Sequence, residues 1–538
     1  MKPPAIAKLQ DFSKMRAAFQ WKVPTHFNIA AAACDDWAEA RPNQIAIRHF
    51  DAEGRERALT YGDLKRQSDA LAAHFVRLGV GQGDRVAILL AQCPEVMVAH
   101  FAAYKLGAIV VPLFTLFGPD ALHYRLKDAG AKVVITDQAN AAKLEGLRQD
   151  LPDLSHVVLA TPQEAAWREI LSGPADIKPV STLAEDPACL IYTSGTTGPP
   201  KGVLHAHRFL LGHLPAIECH HEGFPRDRDV GWTPADWAWI GGLMDLAMPC
   251  LYYGVPLISH RMAKFDPAAA WQLIARTGAS ALFLPPTALR MMQATPVPDG
   301  VGVRTIGSGG ESLGHELLGW GKRTLGASIN ELYGQTECNL VVSGCQAVGA
   351  QKDGTMGLAV PGTELAILDE AGQPLPAGSL GEICVKRGHP AMFLRYWNKP
   401  GKTRAKFHGD WMRTGDLGQI DKDGYVSFHA RDDDVITASG YRVGPTEIEN
   451  CLCADPDVAM AAVIGVPDRE RTELIKAVIV LVDGAPSDEL TARLQASVRA
   501  RVGAHLVPRV IEYRSSLPLT STGKIMRRQL RDEANSLG

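Results

Sequence analysis

Two hydrophobic periods alternate across the first 190 residues, and this alternation limits the possible folds more than any other feature. From Leu59 to Leu78 (LTYGDLKRQSDALAAHFVRL) apolar residues recur three and four apart, which is the spacing of an amphipathic helix. Arg85 to Leu90 (RVAILL) is a short continuous apolar run and reads as a buried strand. A second helix-like run, Pro94 to Leu106, precedes the apolar strand Ala108 to Val111, and Ala131 to Thr136 (AKVVIT) follows a further helix-like stretch. The rhythm returns at Trp271 to Leu284, where a helix-like segment leads into ALFL. Strand, helix, strand succession of this kind predicts an α/β layered fold. The chain of 538 residues is long enough for several such units, at roughly 150 residues each.

The texture changes beyond Leu365. LAILDEAGQPLPAGSLGEICV carries turns at Glu370 to Gln373 and at Pro376 to Ser379 between short alternating strands, which predicts a smaller β-rich subdomain. A last boundary falls near Asp433, inside the charged run Arg431 to Asp434. About 105 residues follow with their own order: helix Pro445 to Ala454, strand Val458 to Val466, strand Leu474 to Val482 and helix Glu489 to Val502. The expectation is a body spanning 1–432, made of layered α/β sheets plus the β-rich part, and a small α+β lid spanning 433–538.

Composition removes several classes of function. Fifty-six Lys and Arg against 59 Asp and Glu leave a net charge of −3, without the basic field of a general nucleic-acid binder. A hydrophobic fraction of 46% excludes a largely disordered chain. The most apolar stretch, Gly107 to Phe117, is broken by Pro112 and falls short of the ~18 residues a membrane helix needs. The ten cysteines contain no C-x-x-C pair and no zinc-like Cys/His spacing. With no secretory pattern at the start, they read as reduced thiols of a cytoplasmic protein.

Chemistry concentrates first at Ile191 to Val203, IYTSGTTGPPKGV. A β-prone lead-in opens into Thr193, Ser194, Gly195, Thr196, Thr197 and Gly198, followed by two prolines and Lys201. Glycines let backbone N–H groups approach an anion, hydroxyls add donors and Lys adds a point charge, so the composition suits a phosphate. It is not a Walker A loop, because Pro200 stands where that motif needs Gly. An ordinary Gly/Thr turn is the alternative.

This segment resembles the TSGTTGxPKG phosphate loop of the adenylate-forming (AMP-binding) superfamily, which includes acyl-CoA synthetases, nonribosomal adenylation domains and luciferases; within it the chain resembles short- and medium-chain acyl-CoA synthetases and acetyl-CoA synthetase. Further motifs follow in the family's order over residues from about 25 to 535. Ser308 to Leu313 (SGGESL) and Asn330 to Glu337 (NELYGQTE) resemble the adenine-pocket and magnesium segments. Arg413 to Leu417 (RTGDL) resembles the ribose segment, Ala430 to Val443 (ARDDDVITASGYRV) the hinge, and Leu519 to Arg528 (LTSTGKIMRR) the catalytic-lysine motif.

The resemblance implies ATP, Mg2+ and coenzyme A as reactants and cofactor, with a small carboxylic acid as substrate. It assigns Glu337 to magnesium and Thr336 to the α-phosphate. Gly310, Glu311, Ser312, Glu331, Tyr333 and Gly334 go to the nucleotide pocket, with Asp416 on the ribose and Arg431 and Arg442 near ribose or phosphate. Taken singly, Glu337 could be a surface carboxylate or a helix cap, Tyr333 core, and Asp416 an Asx-turn residue beside Gly415. Lys524 is implied to bridge the substrate carboxylate and α-phosphate, although a tail with Arg527, Arg528 and Arg531 otherwise reads as a solvated face. Asp433 is implied as the hinge between acyl-AMP formation and thiol attack, with Gly440 and Arg499 on the coenzyme A side. The family usually has Gly before the hinge Arg, and Ala430 stands there here. Acylation of Lys524 would remove the charge that adenylation uses.

For the acid, acetyl-specific members carry a Trp immediately before the QTE triplet, and this chain has Gly334 there. The implied acid is larger than acetate. Ala235 to Leu243 (ADWAWIGGL) resembles the acyl-pocket wall, with Trp237, Trp239, Gly241 and Gly242 supplying flat walls and gaps, unless the two Trp are simply core. An aliphatic acid of short to medium length comes first, and an aryl acid such as benzoate next. The YGQTE form and the full-length lid make coenzyme A the expected acceptor, and the lack of a GGxS-type carrier serine after Gly538 counts against a nonribosomal synthetase. A free-standing ligase that loads a separate carrier remains open, as does a catalytically idle nucleotide or acyl-adenylate sensor.

Overall fold

The computed structural model describes residues 2–6, 9–193, 199–310, 313, 315–431, 434, 436–438, 441–468, 472–503, 506–520 and 524–536. The periodic segments form where expected. The Leu59 to Leu78 run becomes the helix Tyr61–Arg77, which starts at Tyr61 because Thr60 and Asp63 exchange a reciprocal capping box. Residues before that cap pair instead as the strand Glu56–Thr60. Proline occupies the first helical turn of Pro94–Lys105, Pro119–Ala129, Pro267–Thr277 and Pro445–Cys453, where its missing N–H costs nothing.

Three sheets organise the chain. A seven-stranded sheet has five parallel strands, Arg85–Leu89, Ile109–Pro112, Val133–Thr136, His156–Leu159 and Pro187–Thr193, the last of which turns back through an antiparallel hairpin to Lys201–Ala206. The strands Arg85–Leu89, Ile109–Pro112 and Val133–Thr136 are buried on both faces, which is why they read as unbroken apolar runs rather than alternating ones. A fourteen-stranded sheet joins a parallel half, including Ala281–Phe283, Thr305–Gly309 and Ser328–Gln335, to an antiparallel half.

The β-rich segment beyond Leu365 is that antiparallel half. It is joined edge to edge through Gly357–Ala359 and Tyr425–Arg431 and does not form a separate sheet. Turn signals mark each hairpin but carry no information about which longer-range edge a hairpin joins.

The third sheet contains only strands from Ile436 onward: Ile436–Ala438, Tyr441–Val443, Val458–Asp468, Thr472–Leu481 and Val510–Tyr513. Helices Pro445–Cys453 and Asp488–Arg501 bury Ile448, Leu452, Leu494 and Val498 in a core of its own with Val463, Ala477 and Ile479. The tail helix Arg527–Ser536 is fastened to this unit by charge. Arg527 donates to Glu449 at 2.9 and 2.6 Å, and Arg531 lies 3.0 Å from Asp434. The basic tail is therefore in part internally paired, not simply a solvated face.

All ten cysteines are free thiols, eight of them buried. Among the described residues, no helix is long and apolar enough to cross a membrane.

Candidate functional site

Four strand ends from the two large sheets meet at one place. The hairpin Pro187–Thr193 and Lys201–Ala206 sets Thr193 opposite Lys201 at its tip, and Thr193 Oγ1 donates to Lys201 O at 3.5 Å. Ser194, Gly195, Thr196 and Thr197 form the connection and lie outside the described residues. The Lys201 ammonium sits 4.8 Å from the centre of the Tyr396 ring, and the Tyr396 hydroxyl donates to Glu337 Oε1. One phenol thus links the phosphate-loop lysine to the carboxylate of the QTE triplet.

Glu337 is buried just past the end of Ser328–Gln335, in the turn into Cys338–Ser343. Burial pushes its carboxyl upward. Lys406, the Tyr396 hydroxyl and Lys201 outweigh that and hold it below the usual glutamate value. A carboxylate kept ionised in a buried position is a hard oxygen donor, which suits it to hold a magnesium ion.

Asp416 and Arg431 are register partners on the antiparallel strands Trp411–Ile420 and Tyr425–Arg431, with Oδ1 and Nε 3.3 Å apart. The Tyr333 hydroxyl donates to Asp416 Oδ2 at 2.7 Å, which fixes its ring. Asp416 is buried, and Oδ1 accepts no well-formed hydrogen bond among the described residues. That oxygen is an acceptor suited to a ligand hydroxyl. Burial raises the carboxyl of Asp416, opposed by Arg431, Tyr333, Lys406 and Lys524. Glu331, two residues before Tyr333, is pushed up to about 8 by burial, against the Leu313 N–H that it accepts and the charge of Arg290. Burial therefore favours its protonated form.

Lys524 reaches this group from the C-terminal unit. Thr520 and Lys524 exchange hydrogen bonds, with Thr520 N donating to Lys524 O at 2.8 Å and Lys524 N to Thr520 Oγ1 at 3.0 Å. With Lys524 held in this way, its side chain lies over Gly310. A carbon built on Gly310 would lie 3.6 Å from Lys524 Cε, 3.9 Å from Nζ and 4.0 Å from Trp239 Cη2. Gly310 has φ +102°, so glycine is favoured there by backbone conformation, while the 3.6–4.0 Å distances are ordinary contacts that would leave room for a side-chain carbon.

The acyl-wall residues are placed differently from expectation. Trp237 is 1% exposed and packed in the main core. Trp239, half-buried against Phe283 with ring centres 5.9 Å apart, is the tryptophan that faces Gly310. Side-chain carbons built on Gly241, Gly242 and Gly334 would lie 2.8 Å from the Trp239 ring, 2.4 Å from Asp236 O and 2.3 Å from Leu340 N. These glycines let chain and ring pack closely. They are not gaps in a pocket wall, because the neighbouring main chain and the indole take up the space that a side chain would fill.

Glu311, Ser312, Asp433 and Gly440 lie outside the described residues. Of Arg442 only the backbone is described, paired with Thr437. Arg499 is on an exposed position of Asp488–Arg501, and among the described residues no contact joins it to the site. Two participants carry no motif. Tyr396 is the second residue of the two-residue strand Arg395–Tyr396, and Lys406 is one of two lysines in KTRAKF, whose proximity to the RTGD segment was the only available signal.

The AMP-binding enzyme profile matches residues 34–397, and the AMP-binding enzyme C-terminal domain profile matches residues 447–524. Acetyl-coenzyme A synthetase of Bacillus subtilis (strain 168) is 35% identical over 528 residues, covering 94% of this chain and 90% of that protein. The human mitochondrial acyl-coenzyme A synthetase ACSM4 is 32% identical over 534 residues, covering 95% and 91%. The anthranilate CoA ligase AuaEII, solved with anthranoyl-AMP, matches with a TM-score of 0.89 at 28% identity over 96% of this chain and 98% of that one. The benzoate CoA ligase from Burkholderia xenovorans LB400 matches with a TM-score of 0.83 at 28% identity, covering 94% and 100%. The chain belongs to the AMP-binding enzyme family and is an adenylate-forming acid–thiol ligase, working on a carboxylic acid with ATP, Mg2+ and coenzyme A.

Proposed function

We propose that the protein activates an aliphatic carboxylic acid of short to medium length to its acyl-AMP and then transfers the acyl group to coenzyme A. The observation that carries this reading is the position of the Lys524 side chain over Gly310, beside Trp239 and within electrostatic reach of Asp416. Attack of a carboxylate oxygen on the α-phosphorus brings an anion to a polyanion and expels pyrophosphate. A fixed cation at that point lowers the barrier by meeting charge as it develops. Lys524 supplies that cation from the lid, Thr336 donates to the α-phosphate, and Lys201 with the Thr193–Thr197 loop receives the outer phosphates. Asp416 takes the ribose hydroxyls, Tyr333 the adenine face, and Arg431 steadies the Asp416 carboxylate. Glu337 would hold the magnesium ion, which when bound would neutralise phosphate charge.

In the second half-reaction the coenzyme A thiol, giving up its proton, attacks the acyl carbonyl and AMP leaves. We place the hinge for that exchange at Asp433, where the body 1–432 gives way to the lid, with Gly440 and Arg499 on the coenzyme A side. The tail of the acid runs along the Trp239 and Phe283 pair, an apolar surface that suits an uncharged chain. The same pair would also receive an aryl ring, and the solved relatives titled as benzoate and anthranilate CoA ligases favour that as the second reading. A cytoplasmic location accompanies the proposal, supported by ten free thiols.

The test is pyrophosphate release over a panel of straight, branched and aryl acids with ATP and coenzyme A. Highest kcat/KM on an aliphatic acid supports the first reading, and highest on benzoate or anthranilate supports the second. Silence across the panel from folded protein leaves a nucleotide sensor.

A further inference from the structure

Ser328–Gln335, which runs into Thr336 and Glu337, and Trp411–Ile420, which carries Asp416, bear the groups assigned above to one nucleotide, yet they are not neighbours in the sheet. Three other strands, Cys338–Ser343, Gly357–Ala359 and Tyr425–Arg431, lie between them. Backbone pairing alone leaves their separation to the accumulated twist of the sheet. A ring of three hydrogen bonds spans the gap instead. Lys406 Nζ donates to Gln335 Oε1 at 2.7 Å and to Thr414 O at 3.2 Å, and Gln335 Nε2 donates to the same Thr414 carbonyl at 3.0 Å.

Each corner of the ring is anchored. Gln335 immediately precedes Thr336 and Glu337. The Thr414 hydroxyl donates to Ile383 O at 2.6 Å and accepts from Asp416 N at 3.0 Å, so Thr414 sets the backbone of Asp416. Lys406 N donates to Lys402 O and Thr403 O, each at 3.2 Å, at the end of the helix Pro400–Ala405, and Lys406 O accepts from Arg413 N at 2.8 Å.

Among the described residues, no carboxylate pairs directly with Lys406. Its proton donors go to a neutral amide and a carbonyl, which is a costly way to bury an ammonium if stability were its only role. Its charge nonetheless acts on both Glu337 and Asp416.

We propose that Lys406 is a positioning residue for nucleotide activation: through Gln335 and the Thr414 carbonyl it locks the Thr336–Glu337 turn to the Asp416 strand and fixes the span between the magnesium-side and ribose-side groups. This inference rests on the assignment of Glu337 and Asp416 to the nucleotide. The clamp acts on the geometry of bound ATP. Its loss therefore weakens ATP binding before it slows turnover, and Lys406 and Gln335 act as one unit.

The experiment is a double-mutant cycle on the full-length enzyme, with Lys406→Met, Gln335→Leu and the double variant, read by ATP–pyrophosphate exchange at varied MgATP and by thermal melting. Each single variant is expected to raise KM for MgATP about tenfold, the scale of a lost hydrogen bond to a charged group, with a smaller change in kcat. The double variant is expected within about twofold of the worse single, since coupled partners are not additive. Lys406→Arg, which keeps the charge and the donors, should recover most of the loss.

Effects that multiply in the double variant overturn the clamp, and so does an unchanged KM in Lys406→Met. If Lys406→Met does not fold, Gln335→Asn leaves the lysine in place and shortens the clamp by one methylene. An unchanged KM there overturns the proposal, and a raised KM with a normal melting temperature supports it. Glu337→Gln separates the two levels: full exchange activity in that variant would remove the assignment on which the clamp rests, whereas a disabled variant beside a multiplicative cycle removes the clamp alone.

Discussion

Asp416 stands directly opposite Arg431 on adjacent antiparallel strands, with its Oδ1 3.3 Å from the arginine Nε, while its Oδ2 accepts the Tyr333 hydroxyl at 2.7 Å. The pair fixes the direction of the carboxylate while one oxygen keeps acceptor capacity, as binding a diol requires.

Asp416→Ala should raise KM for ATP by about tenfold or more, because hydrogen bonds to a charged group contribute about 1.5–3 kcal/mol each. The sharper check is 2′,3′-dideoxy-ATP. The wild type should discriminate against it by a similar factor and the variant should not. Equal discrimination in both would place the ribose elsewhere.

Gly334→Trp offers a test of packing against pocket. A side-chain carbon at this position meets Leu340 N at 2.3 Å, in main chain that cannot swing aside as a side-chain tip can. The variant should lose stability by roughly 1–3 kcal/mol or more, the usual range for overpacking. It should do so without a clean shift toward acetate. Chain-length preference that moves to acetate at an unchanged melting temperature would restore Gly334 as an open pocket floor.

Glu331 makes stability depend on pH in a defined direction. Burial lifts it from 4.5 to about 8, so between those values the folded protein holds a proton that the unfolded chain has released. Stability from this group is complete below about pH 4.5, falls as pH rises and levels off above about 8. Buried His205, His207 and His220, pushed down to about 3, slope the opposite way below their ordinary value of 6.5. The measurement must therefore be differential. The melting temperature of the wild type should fall more between pH 6 and 8 than that of Glu331→Gln, and parallel curves would contradict the burial argument.

Much of this was legible in the residues, and the exceptions share a cause. Periodicity located the helix Tyr61–Arg77 and the strand Arg85–Leu89 because their burial is one-sided or complete, which is what an apolar period records. It passed over Ile436–Ala438 and Tyr441–Val443, strands too short to show a period. Motif order pointed to Asp416, Arg431, Glu337 and Lys524, and the fold gathers them. The same reading could not tell Trp237 from Trp239, since two tryptophans two residues apart differ only in which side of a loop they take. It treated the glycines at 241, 242 and 334 as empty volume, although glycine equally permits close approach of backbone. Lys406 and Tyr396 act through partners more than 50 residues away, and no local pattern announces that.

Lys524→Ala, assayed separately in the two half-reactions, tests the central claim most directly. In the proposed mechanism the lysine supplies charge to the α-phosphate only while acyl-AMP forms. ATP–pyrophosphate exchange should therefore fall by about 10²–10³ or more, the scale of losing one preorganised group at developing charge. Thioester formation from supplied acyl-AMP and coenzyme A should stay near the wild-type rate. Equal loss of both half-reactions, or exchange that persists, would contradict the account.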